Sequence, residues 1–353
     1  MKNASPARPV AALDAVALTR RLMDIDSTTY HEGAVGRELV EILDGRGFHV
    51  ETMPVEQPEE SKSGSERFNV YAGAAAGESP DVVFSTHMDT VPPFMASSED
   101  EKFIYGRGAC DAKGIIAAQI AAAERLRAEG VRVGLLFVVG EERDSAGAKV
   151  ANRHPRGSRF LINGEPTDNR LAVASKGTLR VRLTSTGKLA HSAYPELGES
   201  AIHKLLEALG RVMALPLPVT EDVGPSTLNV GLIEGGRAPN VVADHAEAQL
   251  LIRLVGPAEK TRAAVLEAVG DLAEVDFTLE IPFQRLRAIE GLPTMVAAFT
   301  TDIPWLSMWG EPLLLGPGSI HVAHTREERL AKRELLEAID LYVKVARGLI
   351  SRE

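Results

Sequence analysis

Apolar residues recur along the chain at two periods, and the change from one to the other divides it. Near the start, Leu13, Val16, Leu18, Leu22 and Met23 follow helical spacing, as do Val35, Leu39, Ile42 and Leu43, with Gly45 and Gly47 closing the second helix. Short apolar runs follow. Residues 48–53 and 69–72 read as strands separated by the polar loop Glu59-Glu60-Ser61-Lys62-Ser63-Gly64-Ser65, and 81–86, built on Val82-Val83-Phe84, reads as a buried strand. Residues 112–129 are apolar almost all round, which predicts a helix pressed on a sheet rather than facing water. A buried strand at 131–139 and shorter ones at 159–162 and 171–174 continue the alternation. Strands and helices in this order predict an α/β domain, a mixed and largely parallel sheet with helices on both faces.

After Ser175-Lys176-Gly177 the period drops to two: Leu179, Val181 and Leu183 alternate with Arg180, Arg182 and Thr184, the mark of a sheet with one wet face. A helix over 199–213, strands over 227–233 and 246–254, a helix over 258–272 and a strand over 276–281 complete a βαββαβ order, a ferredoxin-like α+β unit. From Leu286 the first pattern returns, with a helix expected near 295–300, a buried strand at 313–315 and a closing helix at 332–350. The expected organisation is therefore a discontinuous domain, 1–176 and 286–353, interrupted by an insertion at 177–285.

The 353 residues carry a net charge of −10, which argues against nucleic-acid or anionic-membrane partners. One cysteine excludes an internal disulfide and fits a reducing compartment. The first ten residues lack the apolar core of a secretory signal, and no run approaches the roughly 20 apolar residues of a membrane span. These features point to a cytoplasmic globular protein whose first nine residues form a frayed tail.

Candidate chemistry sits where apolar runs end. His87 and Asp89 follow the 81–86 run at a spacing that lets both point one way, and Asp89 is placed to accept a hydrogen bond from the free N–H of a metal-bound His87 imidazole. Taken alone, the pair favours the plainer reading of a strand-end histidine capped by a turn aspartate. Asp111, after Gly106-Arg107-Gly108 and before a helix, can bridge two cations or simply cap the helix. Glu141-Glu142 end the 131–139 strand; one can ligate a metal while the other acts as a general base, or both can favour a helix N-terminus. Glu165 follows Phe160-Leu161-Ile162, and His324 follows the 313–315 strand. Arg253, on an alternating strand, can pair with a substrate carboxylate or lie exposed. Cys110 reads as a small apolar filler, and His154, His203, His245 and His321 as surface or loop residues; core packing is the reading for Trp305 and Trp309.

Taken together, His87-Met88-Asp89, Gly108-Ala109-Cys110-Asp111-Ala112-Lys113-Gly114, Glu141-Glu142, Gly164-Glu165-Pro166-Thr167, Gly187-Lys188-Leu189-Ala190-His191-Ser192-Ala193-Tyr194-Pro195, Asn240-Val241-Val242 and His324 resemble a known family. It is the co-catalytic zinc family of acetylornithine deacetylase, succinyl-diaminopimelate desuccinylase, aminoacylase and carboxypeptidase G. The resemblance implies two Zn²⁺, with Co²⁺ or Mn²⁺ as substitutes. One ion takes His87 and Glu165, the other Glu142 and His324, and Asp111 bridges them. It further implies Glu141 as base, Asp89 as partner of His87, His191 as oxyanion donor to the neighbouring subunit of a homodimer, Asn240 as a substrate contact, and a cis peptide after Asp111. The expected activity is hydrolysis of a C–N bond, not a ring amide: removal of an acyl group from an N-acyl amino acid in arginine or lysine biosynthesis, with a dipeptidase or carboxypeptidase as the alternative. By the same resemblance, glutamate at position 165 leans toward deacylases and carboxypeptidases over aminopeptidases. Two departures stand out: a chain shorter than many members, and Thr300-Thr301-Asp302-Ile303 where a more Gly-rich stretch is usual.

Overall fold

The computed structural model describes residues 12–58 and 66–351; the expected tail and the 59–65 loop fall outside them. The chain forms two compact units, Met1–Val173 with Leu286–Met295 and Thr301–Glu353, and Ala174–Arg285 with Val296–Thr300.

The first unit is organised on a six-stranded sheet in the order His49–Pro54, Phe68–Gly73, Val133–Val138, Val82–His87, Phe160–Asn163, Glu311–Leu314. The last four run parallel, and the first two add an antiparallel edge. Parallel strands need both faces covered, which is why these segments are continuous apolar runs. Along them, alternate side chains part to two cores. Phe84, Leu135, Phe137 and Ile162 join a large cluster with Leu22, Ile116, Ile120 and Tyr342, whereas Val83, Leu136, Val138 and Leu161 pack with Ala148, Leu306 and Trp309. The helix Lys113–Ala128 packs against the sheet and against the helices Ala15–Met23 and Lys332–Ile350, which explains why it is apolar all round. Its one buried amide, Gln119 Nε2, donates to the Ser85 carbonyl at 2.9 Å. A smaller sheet pairs Phe103–Tyr105 with Arg329–Ala331.

This topology sends four parallel C-termini to one edge of the sheet, the edge where such folds place their chemistry. His87, the Gly140–Glu142 turn, Glu165 and the loop to His324 are the continuations of those four strands. The Gly164 turn before Glu165 is tight: a Cβ there would meet Ile115 Cγ2 at 2.3 Å and Gln119 Nε2 at 2.5 Å. Gly164→Ala is accordingly expected to cost about 1–3 kcal/mol through overpacking. A lowered Tm checks this, and an unchanged Tm would contradict the packing.

The second unit has a four-stranded antiparallel sheet ordered Thr227–Gly235, His245–Leu254, Gly177–Thr186, Glu274–Ile281, with helices Ala201–Met213 and Ala258–Val269. Leu179, Val181, Leu183, Leu250 and Ile252 form its core with Leu205, Leu209 and Val265, so one face is covered and the other left to polar residues. The ferredoxin-like order is present. One expected element is not: the helix near 295–300 is instead the strand Thr294–Ala297. The β-branched Thr294 and Val296 favour extended backbone, and so short an apolar run has no period of its own to read. Among the described residues no helix is long and apolar enough to cross a membrane.

Candidate active site

Five side chains from separate segments of the first unit meet at the sheet edge. One donor group comprises His87, Asp111 and Glu165, and a second comprises Asp111, Glu142 and His324; within each, the ligand atoms lie within 4.8 Å of one another. Asp111 belongs to both. Its Oδ1 is 2.9 Å from His87 Nε2, and its Oδ2 is 3.2 Å from His324 Nε2, which also lies 3.0 Å from Glu142 Oε1. The helix-cap alternative for Asp111 fails, because the N-cap is Ala112 and no side chain caps that end. The Asp111–Ala112 peptide is cis. His87, Asp111 and Glu165 are buried, whereas the His324 side chain is 48% exposed on a residue with a left-handed φ of 63°.

Asp89 does something the sequence does not reveal. His87 Nδ1 contacts the Asp89 backbone carbonyl at 3.0 Å and stands 3.5 Å from the carboxylate. The carboxylate instead gathers the turn carrying the paired glutamates. Its Oδ1 accepts from the Gly140 and Glu141 amides at 3.0 and 3.1 Å, and its Oδ2 from the Glu142 amide at 3.3 Å and Thr29 Oγ1 at 2.9 Å. Gly140 has a φ of 81°, and a Cβ there would meet Arg67 Nη2 at 2.6 Å. Arg67 is held by Glu32 through two hydrogen bonds of 2.9 and 3.0 Å, both side chains fully buried. Thr29, Glu32 and Arg67 carry no motif signal, since their roles arise only when the fold brings distant loops together.

The electrostatics are those of a cluster short of positive charge. Burial alone would lower the His87 imidazole, but the Asp111 and Asp89 carboxylates outweigh it and hold it well above its ordinary value. Hydrogen bonds to Asp111 and Glu142 raise His324 to about 10. Burial pushes Glu141 and Glu165 well above the usual carboxylate range, with neighbouring acids adding to it, and it raises Glu142 likewise. Asp302 is buried with neither carboxylate oxygen hydrogen-bonded, and burial brings it up to about 7. Glu165 Oε1 is also buried without a partner. Two imidazoles and three carboxylates with an orphaned buried oxygen suit divalent cations.

The remaining candidates lie in the second unit. His191 is exposed, its Nδ1 accepting from the Ala193 amide at 3.2 Å. Its segment bridges that of Asn240: His191 pairs with Val241, and the Ser192 amide donates to the Asn240 carbonyl at 3.0 Å. Arg253 is half-buried, donates to Thr178 Oγ1 at 2.7 Å, and pairs with no carboxylate among the described residues; burial alone lowers its pKa. Cys110 is buried, Trp309 is a core residue, and His154, His203, His245 and His321 are exposed.

Comparison with known proteins decides the family. A family model described as a peptidase dimerisation domain matches residues 173–276. A peptidase M20 domain-containing protein of Schizosaccharomyces pombe is 39% identical over 346 residues, covering 94% of this chain and 83% of that one. The chain belongs to the peptidase M20 family. Another relative, from Paracoccidioides lutzii, bears the name "Probable carboxypeptidase" and is 36% identical, with 96% of the M20 chain and 86% of the relative covered. Among solved structures, the aminopeptidase PepT of Bacillus cereus superposes with a TM-score of 0.77 at 21% identity, covering 96% of this chain and 98% of its own. The M20 metallo-carboxypeptidase Sso-CP2 of Sulfolobus solfataricus gives 0.71 at 16%, with 95% and 99% covered. At those identities the likeness is one of fold. As an M20 member the chain is a metal-dependent hydrolase acting on C–N bonds of the peptide kind.

Proposed function

We propose that this chain is a co-catalytic metallo-exopeptidase that cleaves a dipeptide or the C-terminal residue of a short peptide. The observation that carries the reading is the meeting of two donor groups on one shared carboxylate, with Glu141 beside them and outside both. His87 and Glu165 would hold one cation, Glu142 and His324 the other, with Asp111 between; Zn²⁺ is the first candidate. Cations held there would supply Lewis acidity toward the scissile carbonyl and would acidify a nearby water. The chain itself supplies the proton traffic and the orientation. Glu141 takes a proton from the attacking water and returns it to the departing amine. Asp89 keeps Glu141 and Glu142 in register by holding their backbone amides. In a homodimer formed through the second unit, His191 donates to the developing oxyanion and Asn240 contacts the substrate.

Arg253 serves as the anchor for the substrate's free carboxylate, since a half-buried guanidinium with no acid partner has that capacity to spare. Dipeptides and N-acyl amino acids both carry such a group, so Arg253 does not choose between them. The carboxypeptidase and peptidase names of the relatives support the peptide over the N-acyl amino acid. Arg253→Ala is expected to raise KM about 10–100-fold, the worth of one charged hydrogen-bonding partner. Peptides ending in an amide should feel little change, and an equal effect on both would remove the assignment.

The reading is tested by stripping the protein with a chelator, reloading it with Zn²⁺, Mn²⁺ or Co²⁺, and assaying dipeptides beside N-acetyl and N-succinyl amino acids. Metal-dependent peptide turnover is expected. Turnover of acylated amino acids alone would overturn the substrate class, and full activity in the stripped protein would overturn the metal.

A further inference from the structure

Two of the ligand-bearing segments, the Gly106–Asp111 turn and the loop to His324, are joined by a buried ion pair that belongs to neither donor group. Glu328 Oε2 pairs with Arg107 Nη1, and Glu328 Oε1 accepts from the Gly108 amide at 2.8 Å. Arg107 Nη1 also reaches the Thr325 carbonyl at 3.4 Å, one residue beyond His324. The backbone adds a contact, Gly106 N–H to the Glu328 carbonyl at 3.0 Å, where Arg329–Ala331 begins to pair with Phe103–Tyr105. The side chains are 3% and 0% exposed. A closed circuit results: Asp111's turn to Glu328, Glu328 to Arg107, Arg107 to His324's loop.

Removing two charges from water is costly, and apolar replacements often serve stability as well or better, so such a pair is weak grounds for a stability role. What this pair does supply is distance and direction between two backbones. His324 needs both. It is the most exposed of the five donors and sits at a left-handed φ, so core packing does least to fix it. The loop's other anchors act at its start: Glu334 Oε1 accepts from the Gly318 amide at 2.7 Å, and Thr167 Oγ1 from the Gly316 amide at 3.0 Å. Beyond His324 the loop is held by Arg107 on the Thr325 carbonyl and by Glu328 on the Gly106 and Gly108 amides.

We infer that Arg107 and Glu328 are positioning residues that fix His324 against Asp111, and so set the cation affinity of the Asp111–Glu142–His324 group while leaving His87–Asp111–Glu165 unaltered. This rests on the metal-site reading proposed above.

The test is a stepwise calorimetric titration of chelator-stripped full-length protein with Zn²⁺. The variants are Glu328→Gln, Arg107→Met with Glu328→Met, and Arg107→Lys, which keeps the buried charge but gives up the reach to Thr325. Each is paired with circular dichroism to establish folding, and His324→Ala marks which step belongs to the second group. Wild type is expected to take two ions. Every folded variant should keep the first affinity and lose about 10–100-fold in the second, as outer positioning partners of metal ligands do. Adding Glu328→Gln to His324→Ala should cost the surviving step nothing. Unchanged second-step affinity in the folded variants would overturn the inference, as would equal weakening of both steps, the signature of general damage. A wild type that fails to take two ions would instead remove the metal-site reading beneath it. Should the double variant not fold, Glu328→Gln and Arg107→Lys decide alone.

Discussion

Glu141→Ala is expected to lower kcat by about 10²–10⁴-fold, the range for a positioned acid–base group, with metal content unchanged. Both parts follow from placement. Glu141 belongs to neither donor group, so its loss leaves all five proposed ligands in place. Its amide is held by Asp89 Oδ1 at 3.1 Å, and that bond is made by the backbone, so the turn survives truncation and Glu142 stays aimed. Single-turnover kinetics with metal analysis separates the cases. Full activity would remove Glu141 as the base, and loss of an ion would make it a ligand.

Asp111→Ala is expected to abolish turnover and to weaken both ions at once, an effect no other single ligand should have. The shared carboxylate contacts His87 on one oxygen and His324 on the other, so its removal opens both groups and leaves two imidazoles without their common partner. Truncating one member of a buried hydrogen-bonded charge cluster costs about 3–5 kcal/mol, so a lowered Tm should accompany the loss. His324→Ala provides the contrast, since it touches one group only. A fully loaded Asp111→Ala protein would eliminate the bridge.

Much of this arrangement is legible before any coordinates, and the reason is topological. Parallel strands buried on both faces are continuous apolar runs, so a His, Asp or Glu just beyond one stands out, and all such ends gather at one edge. That is how His87, Glu142, Glu165 and His324 could be picked out. Asp111 follows a glycine-marked turn instead, where a helix cap is the plainer reading of the sequence alone, and only the cap at Ala112 removes it. What stays hidden is whatever depends on two loops meeting. The Asp89 carboxylate accepts from three successive amides of a turn beyond another strand, 51 to 53 positions away. Glu328 pairs with a residue 221 positions distant. Asp302, whose buried carboxylate oxygens lack a hydrogen-bond partner near the glutamates, could be noticed only as a departure in its motif. The strand at Thr294–Ala297 was missed because four residues are too few to show a period.

His324 meets Glu142 from 182 positions away, with the second unit threaded between them in the chain. A cation seated there would therefore add a reversible staple between two loops that the sheet already brings to one edge. The protein's heat tolerance should then follow the free concentration of its ion, gaining about 2.7 kcal/mol at a hundredfold excess over Kd. Metal scarcity would be felt as fragility as well as lost turnover.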